Sequence, residues 1–171
     1  MQRVAVIGCP GAGKSIFSRR LHEATRLPVV YLDSIYHSLD YDYKVDTTAW
    51  QRKIAHLVEQ DRWITDGDFV NTFDIRFPRA DTIIFLDFPT KVSLTRAVIR
   101  RATYRQHPRL EMPKGWKEKL SFEFLVYIIT YRKNERPKVY ASLSRWGNHI
   151  NVIILNSPNE AEAYLKKIEA P

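Results

Sequence analysis

Apolar residues in this chain form short runs that are separated by longer amphipathic stretches. Short runs rich in β-branched and aromatic residues predict five buried strands, at residues 3–7, 27–32, 62–65, 81–88 and 150–155. Apolar positions at helical spacing predict six helices, at residues 16–24, 49–60, 91–104, 117–132, 137–146 and 160–168. Since strands and helices alternate, we expect a single α/β domain over residues 1–171, with a mainly parallel five-stranded sheet covered by helices on both faces.

The residues that directly follow the predicted strands are the candidates for ligand binding. Sheets of this kind bind ligands beyond the carboxyl ends of their strands. A glycine-rich loop follows the first strand, Asp33 follows the second, and Asp66 and Gly67 follow the third. Residues 34–46 lack a clear period and predict a loop or a short helix beside Asp33.

The glycine-rich loop GCPGAGKS at residues 8–15 has the pattern G-x-x-x-x-G-K-[ST]. Its glycines let the backbone approach phosphate, its N–H groups form an anion nest, and the next helix directs its positive end to the same place. Lys14 would place a positive charge between the β- and γ-phosphates, and the Ser15 hydroxyl would bind Mg²⁺. ATP and Mg²⁺ are therefore the expected cofactors. The residues predicted to bind ATP are Gly8, Cys9, Pro10, Gly11, Ala12, Gly13, Lys14, Ser15 and Ile16.

Positive charge is concentrated in one part of the chain. The formal net charge is +8, and residues 100–140 hold eleven Lys or Arg against four Asp or Glu. Such a segment fits either a nucleic-acid surface or a lid that clamps phosphates, and composition does not separate the two. Residues 105–116 contain Pro108, Pro113 and Gly115 and predict a mobile loop, which would be the basic lid.

Neither a disulfide nor a membrane span is expected. Cys9 is the single cysteine, which excludes an internal disulfide, and a small side chain that fits the loop explains it better than catalysis does. The longest apolar stretch, near residues 124–129, is far shorter than the ~20 residues that a spanning helix needs. The first residues also lack a signal-peptide layout, so we expect a cytoplasmic protein. The oligomeric state does not follow from these patterns.

Taken together, these motifs resemble the adenylate-kinase-like group of nucleoside and nucleotide kinases. The resemblance rests on GCPGAGKS, on Asp33 after the second strand and on Asp66-Gly67 after the third. The sequence looks closest to the bacterial topology-modulation proteins, through that opening, WITDGDF at residues 63–69 and FLDFP at residues 85–89. The resemblance covers nearly the whole chain. It implies a three-layer P-loop NTPase fold and ATP-dependent phosphoryl transfer to a small acceptor; the family's name points instead to an ATP-binding regulator associated with nucleic acid.

The same resemblance implies roles for four arginines. The R-x-x-x-R-R run at residues 96–101 is similar to the run that leads into the lid of adenylate kinases. It implies that Arg96 stacks on adenine and that Arg100 contacts phosphate. Arg132 and Arg136 stand where those kinases return basic residues from the far side of the lid, which implies catalytic roles for both.

The acceptor side departs from the adenylate-kinase pattern. Asp66 matches the aspartate that holds a Mg²⁺-bound water, but D-G-D-F-V-N stands here in place of D-G-F-P-R, so the arginine that holds the acceptor phosphate is missing. Arg76 is the nearest substitute. Asp33 would orient a hydroxyl acceptor and take its proton; with a phosphate acceptor it would bind ribose, a base or Mg²⁺ through water. The predicted substrate-binding residues are Asp33, Asp66, Gly67 and Arg76, and the predicted metal ligands are Ser15 and Asp66.

Overall fold

A computed structural model describes residues 1–38, 47–103 and 121–169 of the chain. The predicted lid at residues 105–116 lies outside these ranges, as do the first residues of the helix predicted at 117–132. All five predicted strands are present and form one parallel sheet. The strands are β1 (Arg3–Gly8), β2 (Val29–Tyr31), β3 (Trp63–Asp66), β4 (Thr82–Leu86) and β5 (Asn151–Leu155).

The strand order β2-β3-β1-β4-β5 places the first strand in the centre of the sheet. In the register, Val4 of β1 lies opposite Ile64 of β3 on one side and opposite Thr82 of β4 on the other. The loop that follows β1 therefore begins at the middle of the carboxyl edge. The turns after β2 and β3 lie to one side of this loop, and those after β4 and β5 lie to the other.

Both faces of the sheet are buried, which is why its strands read as continuous apolar runs. Ala5 and Ile7 contribute to a core with Trp50, Phe73 and other residues from the helices of one face. Val4 and Val6 point the other way and contribute to a second core that includes Leu21 and Leu165. Helices therefore cover the sheet on both sides, and the predicted three-layer α/β architecture is confirmed.

Eight α-helices are found in the described residues. The six predicted helices are present, although the one predicted from residue 117 is described only from Phe122 onward. Each of the two additional helices is seven residues or shorter. The helices are α1 (Lys14–Thr25), α2 (Leu32–Ser38), α3 (Thr47–Leu57), α4 (Phe73–Arg76), α5 (Thr90–Thr103), α6 (Phe122–Asn134), α7 (Arg136–Trp146) and α8 (Pro158–Glu169).

Two parts of the acceptor side differ from the prediction. The second strand ends at Tyr31, so Asp33 lies in the first turn of α2 and does not directly follow a strand. Between β3 and β4 the chain forms α4 flanked by two 3₁₀ turns, which the apolar pattern did not predict. Segments of three or four residues are too short to show a helical period.

A third, small apolar cluster joins the phosphate loop to the helices around the predicted lid. Buried Cys9 packs with Ala97 of α5 and with Ile128 and Tyr131 of α6. The helices on either side of residues 104–120 are thus anchored to the start of the loop. Within the described ranges, none of the helices has the length and apolarity needed to cross a bilayer.

Candidate active site

A cleft of about 1210 Å³ opens at the carboxyl edge of the sheet. The phosphate loop contributes Pro10 to Ser15 to its wall, and the strand order divides the rest into two halves. The half beside β4 and β5, here called the nucleotide half, includes Phe88, Arg96, Ile99, Arg100 and Pro158. The half beside β2 and β3, here called the acceptor half, includes Asp33, His37, Asp68, Phe69, Val70 and Asn71.

The glycines of the loop are required by its path. Gly11 has φ +85°, and a Cβ atom there would lie 2.2 Å from the backbone oxygen of Ser93 in α5. Gly13 has φ +97°, and a Cβ atom there would lie 3.1 Å from Nη1 of Arg96. Positive φ is costly for other residues. Only glycine therefore permits both the turn and the close packing of the loop against α5.

Lys14 and Ser15 occupy the first turn of α1, directly after the loop. The Lys14 ammonium donates to the carbonyl oxygens of Gly8 at 2.8 Å and Cys9 at 3.3 Å, so it spans the concave side of its own loop. The helix end, the loop N–H groups and the ammonium all place positive potential in this region. The Ser15 hydroxyl fits a Mg²⁺ ion, because Mg²⁺ takes few protein oxygens when phosphate oxygens and water complete its shell.

Cys9 is a poor nucleophile in this setting. The residue is 5% exposed. Burial raises the pKa of its thiol to about 11, although the nearby Lys14 ammonium opposes the shift. The neutral thiol packs in the third cluster, in agreement with the reading of Cys9 as a small side chain that fits the loop.

The two predicted nucleotide-side arginines line the nucleotide half. Arg96 donates from Nη1 to the carbonyl oxygen of Ala12 at 2.9 Å, and its guanidinium carbon lies 5.7 Å from the centre of the Phe88 ring. Arg100, one helical turn later, lies 6.0 Å from the centre of the Phe124 ring. Helical spacing and aromatic neighbours thus direct both guanidinium groups to one wall of the cleft.

The turn after β5 forms a capping box at the start of α8. The Glu160 backbone N–H donates to the Ser157 hydroxyl at 3.2 Å, and the Glu160 carboxylate accepts from the Asn156 backbone N–H at 2.9 Å. Pro158 lines the cleft, whereas Asn156 and Ser157 are not among the described residues that do. A strand-to-helix turn accounts for the side chains of Asn156 and Ser157.

Asp68 is the carboxylate most firmly placed in the acceptor half. It is 8% exposed, and it accepts from the Gly8 backbone N–H at 3.0 Å and from the Tyr131 hydroxyl at 2.9 Å. Burial raises the pKa of Asp68, while the Lys14 ammonium and then the Tyr131 hydroxyl oppose the rise. Asp68 therefore connects the turn after β3 to both the phosphate loop and α6.

Arg76, predicted to bind an acceptor phosphate, lies inside the protein behind the acceptor half. Its side chain is fully buried and does not line the cleft. It donates to the carbonyl oxygens of Gly67 at 3.1 Å and Asp68, and to the Thr72 hydroxyl at 2.9 Å. Burial lowers the pKa of Arg76 to about 10, which leaves it charged at neutral pH.

Asp66 and Gly67 lie behind the cleft wall. Asp66 is the last residue of β3 and is 4% exposed. Neither residue is among the described residues that line the cleft, and Gly67 presents its carbonyl oxygen to Arg76. Asp68, two positions later, does line the cleft.

Arg132 and Arg136 converge on Asp87, the residue after β4. Arg136 binds its carboxylate through Nε at 2.9 Å and Nη2 at 2.7 Å, and Arg132 approaches it at 3.7 Å. The Asp87 carboxylate raises the pKa of Arg136. Neither arginine is among the described residues that line the cleft. The two side chains therefore anchor α6 and α7 to the sheet. Asp87, their shared partner, was not among the predicted site residues.

Solved kinases have a similar fold over almost the whole chain. Shikimate kinase from Acinetobacter baumannii, in complex with shikimate, matches with a TM-score of 0.61 and 14% identity over 98% of this chain and 90% of that chain. Shikimate kinase from Bacteroides thetaiotaomicron matches with a TM-score of 0.57 and 14% identity over 98% and 96%. Deoxyadenosine kinase from M. mycoides, with bound dCTP, matches with a TM-score of 0.50 and 12% identity over 99% and 100%.

These comparisons define a P-loop kinase fold and nothing finer, since identities this low show the fold alone. No protein-family model matches the chain, and no curated protein sequence matches it. The chain thus has the architecture shared by these kinases, with a phosphate loop at the centre of its cleft.

Proposed function

We propose that this protein is a P-loop kinase that transfers the γ-phosphoryl group of ATP to a small acceptor in the presence of Mg²⁺. The observation that carries the proposal is the cleft itself. The phosphate loop with Lys14 forms its centre, arginines line one half, and two carboxylates line the other. The fold shared with shikimate kinase and deoxyadenosine kinase supports the same reaction class. The closer likeness to topology-modulation proteins rests on the sequence motifs alone.

Each half of the cleft has a chemical task in this proposal. Bound ATP would supply the phosphoryl group, and Mg²⁺ would neutralise charge on it. The loop N–H groups, Lys14, Arg96 and Arg100 would bind the nucleotide, and Ser15 would hold the metal ion. Guanidinium suits this task because its planar fork matches phosphate oxygens.

Asp33 is the residue we assign to the acceptor proton. A new bond would form from the acceptor oxygen to the γ-phosphorus while the bond to the ADP oxygen breaks, and the hydroxyl proton would pass to a carboxylate. Both oxygens of Asp68 already accept hydrogen bonds within the protein. Asp33, in the first turn of α2 on the same cleft wall, is therefore the better proton acceptor.

A second candidate function follows from the charge of residues 100–140. A net charge of +7 in this segment would also suit an ATP-dependent regulator that binds nucleic acid. Two measurements separate the candidates. The first is ADP release from ATP·Mg²⁺, with nucleosides, nucleotides, sugars and short oligonucleotides as acceptors, and the second is binding of DNA or RNA at increasing salt. Stimulation by one small acceptor supports the kinase. Slow hydrolysis without any acceptor effect, in a protein that binds DNA or RNA in a salt-sensitive manner, supports the regulator.

A further inference from the structure

The turn at residues 67–69 holds a bulky side chain in a costly backbone conformation. Phe69 has φ +33°, in the left-handed region that residues with large side chains rarely adopt. Strain of this kind persists only where the surroundings hold it in place, and it is concentrated at functional sites. Phe69 lines the acceptor half of the cleft together with Asp68, the residue before it in the chain.

Buried hydrogen bonds fix this turn from behind. Arg76 binds the carbonyl oxygens of Gly67 and Asp68, and Thr72 donates from both its backbone N–H and its hydroxyl to the Phe69 carbonyl oxygen at 2.8 Å. The Phe69 ring also packs against Tyr36 and Trp50, with ring centres 5.2 Å and 5.0 Å apart. The ring is thus a rigid platform rather than a side chain that adapts to its surroundings.

The described cations around the acceptor half are bound to protein partners. Arg76 is occupied by the turn, and Lys138 donates to the Glu135 carboxylate at 2.8 Å. The acids Asp33, Asp68 and Glu135 all line the cleft. A phosphate about 5 Å from one such carboxylate would lose on the order of a hundredfold in affinity at an effective dielectric of about 20.

We propose that the acceptor half binds an uncharged hydroxyl compound with a flat apolar face, which packs on Phe69, and that it rejects acceptors that carry a phosphate. This inference rests on the proposed function and specifies its substrate class. Phe69 supplies apolar surface, Asp33 supplies an acceptor for a hydroxyl group, and Arg76 acts as a positioning residue behind the turn that carries Phe69. An unphosphorylated nucleoside has the required chemistry.

The test compares nucleosides with their own 5′-monophosphates, in the wild-type protein and in Phe69→Leu. The matched control is Phe122→Leu, since Phe122 is 77% exposed on α6 and does not line the cleft. We expect kcat/KM for a nucleoside to exceed that for its monophosphate on the order of a hundredfold. In Phe69→Leu, the acceptor KM should rise roughly 5–10-fold while the ATP KM stays unchanged. The control should match the wild type in both constants.

Direct binding separates this inference from the proposed function. Calorimetric titration of nucleoside and monophosphate into the protein, saturated with a non-hydrolysable ATP analogue and Mg²⁺, does not require turnover. Phe69-dependent binding of the nucleoside without turnover would refute the kinase and support the subsite. Equal or tighter binding of the monophosphate, or no binding of any nucleoside, would overturn the subsite proposal even if another acceptor is phosphorylated.

Discussion

Replacing Arg76 tests the view that this residue supports the acceptor half from inside the protein. The side chain is fully buried and donates to two carbonyl oxygens and to the Thr72 hydroxyl. The substitution Arg76→Met introduces an uncharged, hydrophobic side chain of similar length. It would leave the Gly67 and Asp68 carbonyl oxygens without their donors. Each unsatisfied buried group costs about 1–3 kcal/mol, and breaking a buried charged network costs about 3–5 kcal/mol. We therefore expect the free energy of unfolding to fall by about 3–5 kcal/mol.

Urea-induced unfolding, followed by tryptophan fluorescence, measures this change. The matched control is Arg79→Met, because Arg79 makes only longer, more exposed hydrogen bonds to the carbonyl oxygens of Val58 and Glu59, at 3.3 and 3.4 Å. The control should lose no more than about 1 kcal/mol. If the Met variant does not fold, Arg76→Lys retains the charge but not the planar fork and should also lose stability. A loss below about 1 kcal/mol for Arg76→Met would refute the assigned role.

Three further predictions concern other hydrogen bonds and ion pairs of the protein. Tyr131→Phe removes a hydrogen bond to Asp68, so it should lower the free energy of unfolding by about 1–2 kcal/mol and reduce turnover. Tyr164→Phe is the control and should change neither quantity. Unfolding measures the stability, and ADP release measures the turnover. Asp87→Asn and Arg136→Met should each cost about 1–3 kcal/mol, and the double mutant should cost less than their sum; additive losses would contradict the ion pair. Burial alone would raise the pKa of Asp81, but hydrogen bonds from Thr82, Arg3 and Gln2 outweigh it and lower the pKa. The contribution of Asp81 to the free energy of unfolding should therefore be present near neutral pH and be lost as the pH falls through the lowered pKa. Asp81→Asn should cost about 1 kcal/mol at pH 7 and less in acid. An equal cost at pH 7 and pH 3 would contradict this prediction.

The strands and the phosphate loop were predictable because their signals are local. The buried strands of a parallel sheet read as short apolar runs, and the loop has a fixed spacing of glycines and Lys14. Every predicted strand is present, and α1 begins at Lys14, close to its predicted start at residue 16. Arg96 and Arg100 line the cleft because helical spacing places them on one side of α5.

The acceptor half was harder to predict because long-range contacts determine it. Arg76 and Asp68 are eight positions apart, and nothing in their spacing shows that the arginine is buried behind the turn that carries Asp68. The pairing of Arg136 with Asp87 spans 49 positions. Arg76 was predicted as the nearest arginine and Arg136 by resemblance, whereas each side chain has a protein partner that is distant in the chain.

ADP release from ATP·Mg²⁺ across the acceptor panel, with Lys14→Ala compared with the wild type, tests whether this protein is a kinase. Lys91→Ala is the matched control, because Lys91 is exposed in the first turn of α5 and does not line the cleft. A P-loop kinase should show strong stimulation by one small acceptor, retained in Lys91→Ala and reduced by a factor on the order of a hundred or more in Lys14→Ala. Acceptor-independent hydrolysis that is equal in all three proteins would contradict it.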